Sequence, residues 1–307
     1  MIKKAAAFLF IFSVFHAFGQ EDESNSIFQH LSKNISINFE SNSQWYLDDS
    51  KTGDFKEEEN LRTTNFLRLD YGISEKFTAG LQLESYAPEN LLNNSKLYDK
   101  DLGVATYYMR YKTKKLDVTL GYFYQQFGSG LILRAWEDRA LGINTALRGV
   151  RFEYKPTKAI RLTTLYGQQR KGFKLSEGDI FGIDTEIDIS NTLNILPSGS
   201  LILGLSYVGK EEAYEKVENE STMEIPELVN AFSARMNYEN NNFYTNVEYI
   251  SKSKDLRLNV INNLNGPSFS EQETFKGNAL IWTAGYSQKG FGLSYNFRRL
   301  ENMRWFS

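Results

Sequence analysis

Thirteen segments of this chain carry apolar side chains at every second position, and that alternation constrains the fold more than any other feature of the sequence. The apolar faces run through residues 35–39, 67–73, 77–83, 107–111, 116–122, 150–154, 160–166, 183–189, 201–207, 232–238, 243–249, 280–286 and 291–297. None of their alternate positions is charged. The interleaved positions hold Arg68, Asp70, Glu84, Arg110, Asp117, Arg151, Glu153, Arg161, Asp184, Glu186, Arg235, Glu248 and Arg298. A period of two with one apolar and one polar face predicts β-strands. With its flanks, each segment is about ten residues long, the length of a tilted membrane strand.

The ends of the apolar faces are unusually aromatic: Phe39, Tyr71, Phe77, Tyr111, Tyr122, Tyr154, Tyr166, Tyr207, Tyr238, Phe243, Tyr249, Tyr286 and Phe291. Aromatic girdles of this kind mark the two interfaces of a transmembrane barrel. A soluble β-sandwich or β-helix, the rival fold, has no reason to place rings at both strand ends. Short links (73 to 77, 111 to 116, 154 to 160, 238 to 243, 286 to 291) alternate with long ones (47–62, 87–103, 126–147, 169–180, 209–229, 253–276), and 190–199 is intermediate. All five prolines fall in links, where the missing N–H breaks no ladder. The expected fold class is therefore all-β, an antiparallel up-and-down transmembrane β-barrel of about 13–14 strands.

The N-terminus predicts export. Lys3 and Lys4 precede a largely apolar stretch, Ala5 to Phe18, and Ala17-Phe18-Gly19 ends in small residues at the positions read by a signal peptidase. These 14 residues fall short of the roughly 20 needed to span a bilayer as a helix. Residues 1–19 are thus expected to be a signal peptide, with 20–307 the barrel and cleavage after Gly19. The chain has no cysteine, which excludes disulfides, thiolate metal sites and a lipid-modified cysteine anchor. Beyond Gly19 there are 33 basic and 38 acidic residues, a balance unlike that of a nucleic-acid binder.

The stretch Gly121-Tyr-Phe-Tyr-Gln-Gln-Phe-Gly-Ser-Gly-Leu131, continued through Arg134-Ala-Trp-Glu-Asp-Arg139 to Leu147-Arg-Gly149, resembles a family of outer-membrane β-barrels of the Bacteroidota with no assigned activity. Residue Gln20 as the mature start is similar too. The resemblance implies an outer-membrane location and the barrel fold, and it implies nothing about chemistry. Members of that family are longer than 307 residues. Thirteen is also an odd number, whereas single-chain bacterial barrels have an even one. The chain is accordingly expected to be the N-terminal part of a longer protein, lacking C-terminal strands.

Catalytic chemistry is poorly provided for. Hydrolytic barrels need an imidazole as general base or acid, and His30, ahead of the first strand, is the sole histidine after the signal. The run Asp48-Asp-Ser-Lys-Thr-Gly-Asp54 lacks the spacing and terminal Glu of a calcium loop. Asp184, Glu186 and Asp188 share a strand face that reads first as a wet wall opposite basic neighbours. Gly128-Ser129-Gly130 is not followed by the Lys-Ser/Thr of a phosphate loop, and reads as a sharp bend. No enzyme, cofactor or metal site is expected.

The long link 126–147 is different in kind. Leu131, Ile132, Leu133, Trp136, Leu141 and Ile143 would form a costly apolar patch in water. The expectation is that it folds back into the lumen. There Glu137 and Asp138 would be met by Arg110, Arg151 and Arg161 of the wall and by Arg134, Arg139 and Arg148 of the link, since buried carboxylates need partners. These eight residues are the candidate lumen or constriction set. The expected function is a porin-like channel for small polar solutes in the cell outer membrane. The alternative is a non-conducting structural or assembly component. Partners are outer-membrane lipid and other outer-membrane proteins. Two short turns further predict register: Thr113-Lys114 as a two-residue turn sets Tyr111 opposite Leu116 and Arg110 opposite Asp117, and Tyr154 opposite Ile160 sets Glu153 opposite Arg161.

Overall fold

The computed structural model describes residues 34–49, 51, 60–87, 89–91, 102–190, 199–213, 226–257, 260–263, 266–269 and 273–303. The signal region and His30 lie outside them, as does most of the Asp48–Asp54 run. The chain falls into two units, 1–36 and 37–307; apart from Asn34 and the first two residues of β1, every structural feature below belongs to the second. Thirteen long strands form one sheet: β1 (Ile35–Trp45), β2 (Leu61–Gly72), β3 (Phe77–Ser85), β4 (Leu102–Lys112), β5 (Leu116–Phe123), β6 (Leu147–Tyr154), β7 (Ile160–Lys171), β8 (Lys174–Asp188), β9 (Gly199–Glu211), β10 (Leu228–Asn240), β11 (Phe243–Arg257), β12 (Glu273–Gln288) and β13 (Phe291–Glu301). Each neighbours the next in sequence, with β1 and β13 at the two edges. The pairs from β2–β3 to β12–β13 are all antiparallel. Glu89–Asn90 adds a short parallel pairing to β2. All thirteen segments seen in the alternation are strands of this sheet.

The polarity of the sheet is inverted relative to a soluble domain. Leu120, Leu203, Leu205, Phe232, Trp282 and Leu293 are exposed on one face, Leu205 by 66%. Gln82, Glu84, Asp117, Asp184, Arg235 and Glu248 are buried on the other. Ring contacts gather at both ends of the exposed face. Phe77–Tyr111, Tyr238–Phe243 and Tyr286–Phe291 lie near the short turns, and Tyr107–Tyr122 and Tyr207–Phe232 near the far ends. Among the described residues no helix is long and apolar enough to cross a membrane.

The sheet curls strongly. Arg170 on β7 pairs with Glu84 on β3, four strand positions away. In a flat sheet that separation is about 19 Å, beyond the reach of an arginine. A row of glycines in register, Gly121, Gly149 and Gly167, crosses β5, β6 and β7 on the inner face. A Cβ on Gly149 would sit 2.0 Å from the Tyr166 carbonyl oxygen, so only glycine permits the close strand approach there.

Three expectations are corrected. The turn after β4 pairs Tyr111 with Val118, Lys112 with Asp117 and Arg110 with Thr119, two residues away from the predicted register. Thr113 N–H donates to the Leu116 carbonyl at 2.7 Å, and its Oγ1 accepts the Leu116 N–H at 3.0 Å, so the turn spans four residues rather than two. The turn after β6 is wider by the same amount, and Tyr154 lies opposite Leu162 and Glu153 opposite Thr163. A slip of two preserves the faces. Third, the link expected at 169–180 is strand: β7 runs to Lys171 and β8 starts at Lys174, joined at Gly172 with φ 63°. An irregularity between Gln168 and Arg170 shifts that ladder.

Candidate functional site

The 23 residues between β5 and β6 form two small antiparallel ribbons on the inner face. In the first, 125–127 pairs with 133–135, Phe127 opposite Leu133. Gly128 and Gly130 take positive φ (51° and 89°) in its turn, closed by the Gly130 N–H donating to the Phe127 carbonyl at 2.9 Å. In the second, Glu137 and Asp138 pair with Asn144 and Ile143 around Gly142, whose φ is 64°. Trp136 and Thr145 join the two, the Thr145 N–H donating to the Trp136 carbonyl at 2.9 Å.

Alternation inside the first ribbon turns Phe127, Leu133 and Ala135 one way, and that side is buried. Phe127 is wholly buried and Ile132 nearly so. They pack with Phe123, Leu147, Leu165, Ile180, Val208, Ala231, Ile250, Ala279 and Met303, a cluster drawn from β5 through β12 and from the residue Met303 beyond β13. Each large side chain placed this way contributes about 1.5–3 kcal/mol. Gly182 on β8 makes room: a Cβ there would lie 2.9 Å from the Phe127 ring.

Polar contacts pin the segment on both sides. The Ser129 N–H donates to Glu248 Oε2 at 2.8 Å, while Ser233 Oγ donates to Glu248 Oε1 at 2.6 Å. On the opposite wall, Gln82 Nε2 donates to Glu137 Oε1 and to Glu84 Oε1, each at 3.0 Å. Asn144 Nδ2 reaches the same Glu137 oxygen at 3.2 Å. Arg139 lies 4.3 Å over the Phe66 ring and pairs with Glu40 on β1 and, at 3.5 Å, with Glu137. The side chains of Glu84 and Arg170 are 1% exposed, and Tyr86 donates to Glu84 Oε2 at 2.7 Å.

The expected constellation is only partly assembled. Glu137 and Arg139 are together. The wall arginines meet carboxylates of the wall instead of the carboxylates of the segment. Arg110 Nε donates to Asp117 Oδ1 at 2.8 Å, and Arg161 pairs with Glu186. Arg151 donates to Gln125 Oε1 at 2.8 Å and lies 3.7 Å from Asp117 and 3.4 Å from Glu153. Asp138 accepts the Leu141 N–H at 3.0 Å, capping a turn. Arg134 stacks on Trp136, 3.9 Å from the ring centroid. Arg148 is a correction: it lies opposite Tyr122 and Gln168, on the outward face shared with Val150 and Phe152, and is exposed. Its parity with Val150 already carried that signal.

Sequence reasoning overlooked the buried Glu84–Arg170 pair and the cluster centred on Arg235. There Nη2 meets Asp184 Oδ1 at 2.6 Å and Glu186 Oε1 at 2.8 Å, and Nη1 reaches Ser206. Asp184 and Glu186 are thus engaged by Arg235 and Arg161. Among the described residues no three His, Cys, Asp or Glu side chains gather as a metal site.

The model of a family of unknown function, DUF6029, matches residues 1–307. No curated protein matches the chain. Several solved outer-membrane structures are similar at low identity. OmpF of Salmonella typhi, in complex with daunomycin, is 13% identical, with 86% of this chain and 79% of that one covered and a TM-score of 0.43. OccAB2 of Acinetobacter baumannii is 11% identical over 87% and 80%, TM-score 0.40. OccK2 (OpdF) of Pseudomonas aeruginosa, in complex with glucuronate, is 8% identical over 87% and 90%, TM-score 0.33.

Proposed function

The chain belongs to the family of unknown function DUF6029, and we propose that it is an outer-membrane porin-like channel for small polar solutes. The observation that carries this reading is the inverted polarity of the sheet, with exposed leucines and aromatics outside and paired charges inside. An outward apolar face bounded by rings suits lipid. A wall of paired charges of both signs suits an aqueous path. The segment 126–147 narrows that path, held between Glu248 on one side and Gln82 and Glu40 on the other. Residues 1–19 direct export, and residues 20–307 contribute the barrel.

Closure of the ring belongs to the same proposal. Among the described residues β1 and β13 are each paired on one side only. With thirteen alternating strands these two run parallel, so direct pairing would not continue the antiparallel ladder. Antiparallel closure of the ring calls for an odd number of further strands.

A second reading has an observation of its own. The apolar cluster around Phe127 joins the segment to eight strands, as a plug would, and a plugged barrel would be a structural or assembly component. Planar-bilayer recording of the complete protein separates the two. The channel reading expects steady single-channel current, shifted toward anions by Glu137→Gln. Absence of current at every voltage from folded protein overturns it.

A further inference from the structure

Between the first ribbon and the inner wall of β6 to β9 lies a cavity of about 270 Å³. Ile132, Leu133 and Ala135 line it from the ribbon, and Leu147, Ile180 and Val208 from the wall. All six are buried. The size is close to the lower end of the roughly 300–1,000 Å³ of small-molecule sites, which share this apolar lining with a few polar groups.

Two cations also line it. Lys210 is 7% exposed and its Nζ lies 2.6 Å from Glu212 Oε2, so its charge is balanced. Arg134 differs. Its guanidinium rests on the Trp136 ring, and it pairs with no carboxylate among the described residues. Every other arginine named in the site faces an acid within salt-bridge distance, Arg148 on the outer face apart. Stacking on an aromatic face fixes the plane of a guanidinium while leaving its N–H groups free for two parallel bonds to an anion.

We propose that this cavity binds an amphipathic carboxylate of medium chain length, its alkyl chain between Leu133 and Val208 and its carboxylate on Arg134. An alkylammonium would meet the uncompensated charge of Arg134 with the wrong sign, and a small inorganic anion would leave the apolar lining unfilled. The site asks only that the ribbon be folded, whether or not the barrel conducts.

The test is calorimetric titration of the complete protein in lipid nanodiscs, with empty discs as the blank. Octanoate should bind saturably, and each methylene from butyrate upward should tighten binding about fourfold until the cavity is full. Arg134→Gln should weaken octanoate about tenfold and leave octanol unchanged, because the neutral head group gains nothing from the charge. Ala135→Phe should abolish binding of both by filling the cavity. Should that variant fail to fold, Arg134→Gln, an exposed position, decides alone. Octylammonium binding as tightly as octanoate, no saturable heat with octanoate, or an Arg134→Gln variant that binds octanoate unchanged would each overturn the proposal.

Discussion

Glu84 and Arg170 form a buried ion pair that bridges β3 and β7. Replacing Arg170 with Met strands a carboxylate in a dry site, and the expected loss is about 3–5 kcal/mol. Adding Glu84→Leu removes the stranded charge and should recover most of that loss, because a pair replaced by apolar side chains is often neutral. Reversible urea unfolding into vesicles measures both. Equal, small losses in the single and double variants would show that the pair holds little. Half of this pair was legible in the sequence. Glu84 stands out as a charge on an alternating strand, while Arg170 sits where the alternation fades, and the contact itself depends on curvature, which periodicity does not record. Arg148 went the other way: its face was readable from Val150 and Phe152, yet its charge suggested the lumen.

At the scale of elements, the alternation located all thirteen strands and their faces because the apolar outer face and the charged inner face place opposite demands on alternate residues. Where both faces are wet, that contrast disappears. This is why the Lys171–Lys174 tip read as a long link, although the chain pairs through it. Turn type was equally illegible at Thr113, whose hydroxyl organises four residues where link length suggested two. The β5–β6 segment was readable as a segment that buries its apolar side chains but not as two ribbons, since three-residue strands carry too little period. Its seat can be tested at Gly182, where any side chain meets the Phe127 ring. Gly182→Leu should destabilise the protein by about 1–3 kcal/mol through overpacking. In bilayers it should also change single-channel conductance as the ribbon moves. Wild-type stability together with wild-type conductance would mean that Phe127 does not rest there.

For the molecule as a whole, the parallel run of β1 and β13 makes a topological prediction. An experimental structure in lipid should show β13 paired with a further antiparallel strand and an even total; β1 hydrogen-bonded directly to β13 would refute it. The unequal lengths of the strands carry another consequence. β5 and β6 have 8 residues each, whereas β8 and β11 have 15 and β12 has 16. At about 3.4 Å per residue, the longer strands extend roughly 25 Å farther along the ladder. Since the short turns share one end, the difference accumulates at the other. The mouth is therefore cut obliquely, like a quill: a high palisade on the β8–β12 side, and a low sill where the inserted ribbons leave the wall. In the proposed channel, a bulky solute would face the palisade on one side and the sill on the other, where the exposed Arg134 of the segment lies.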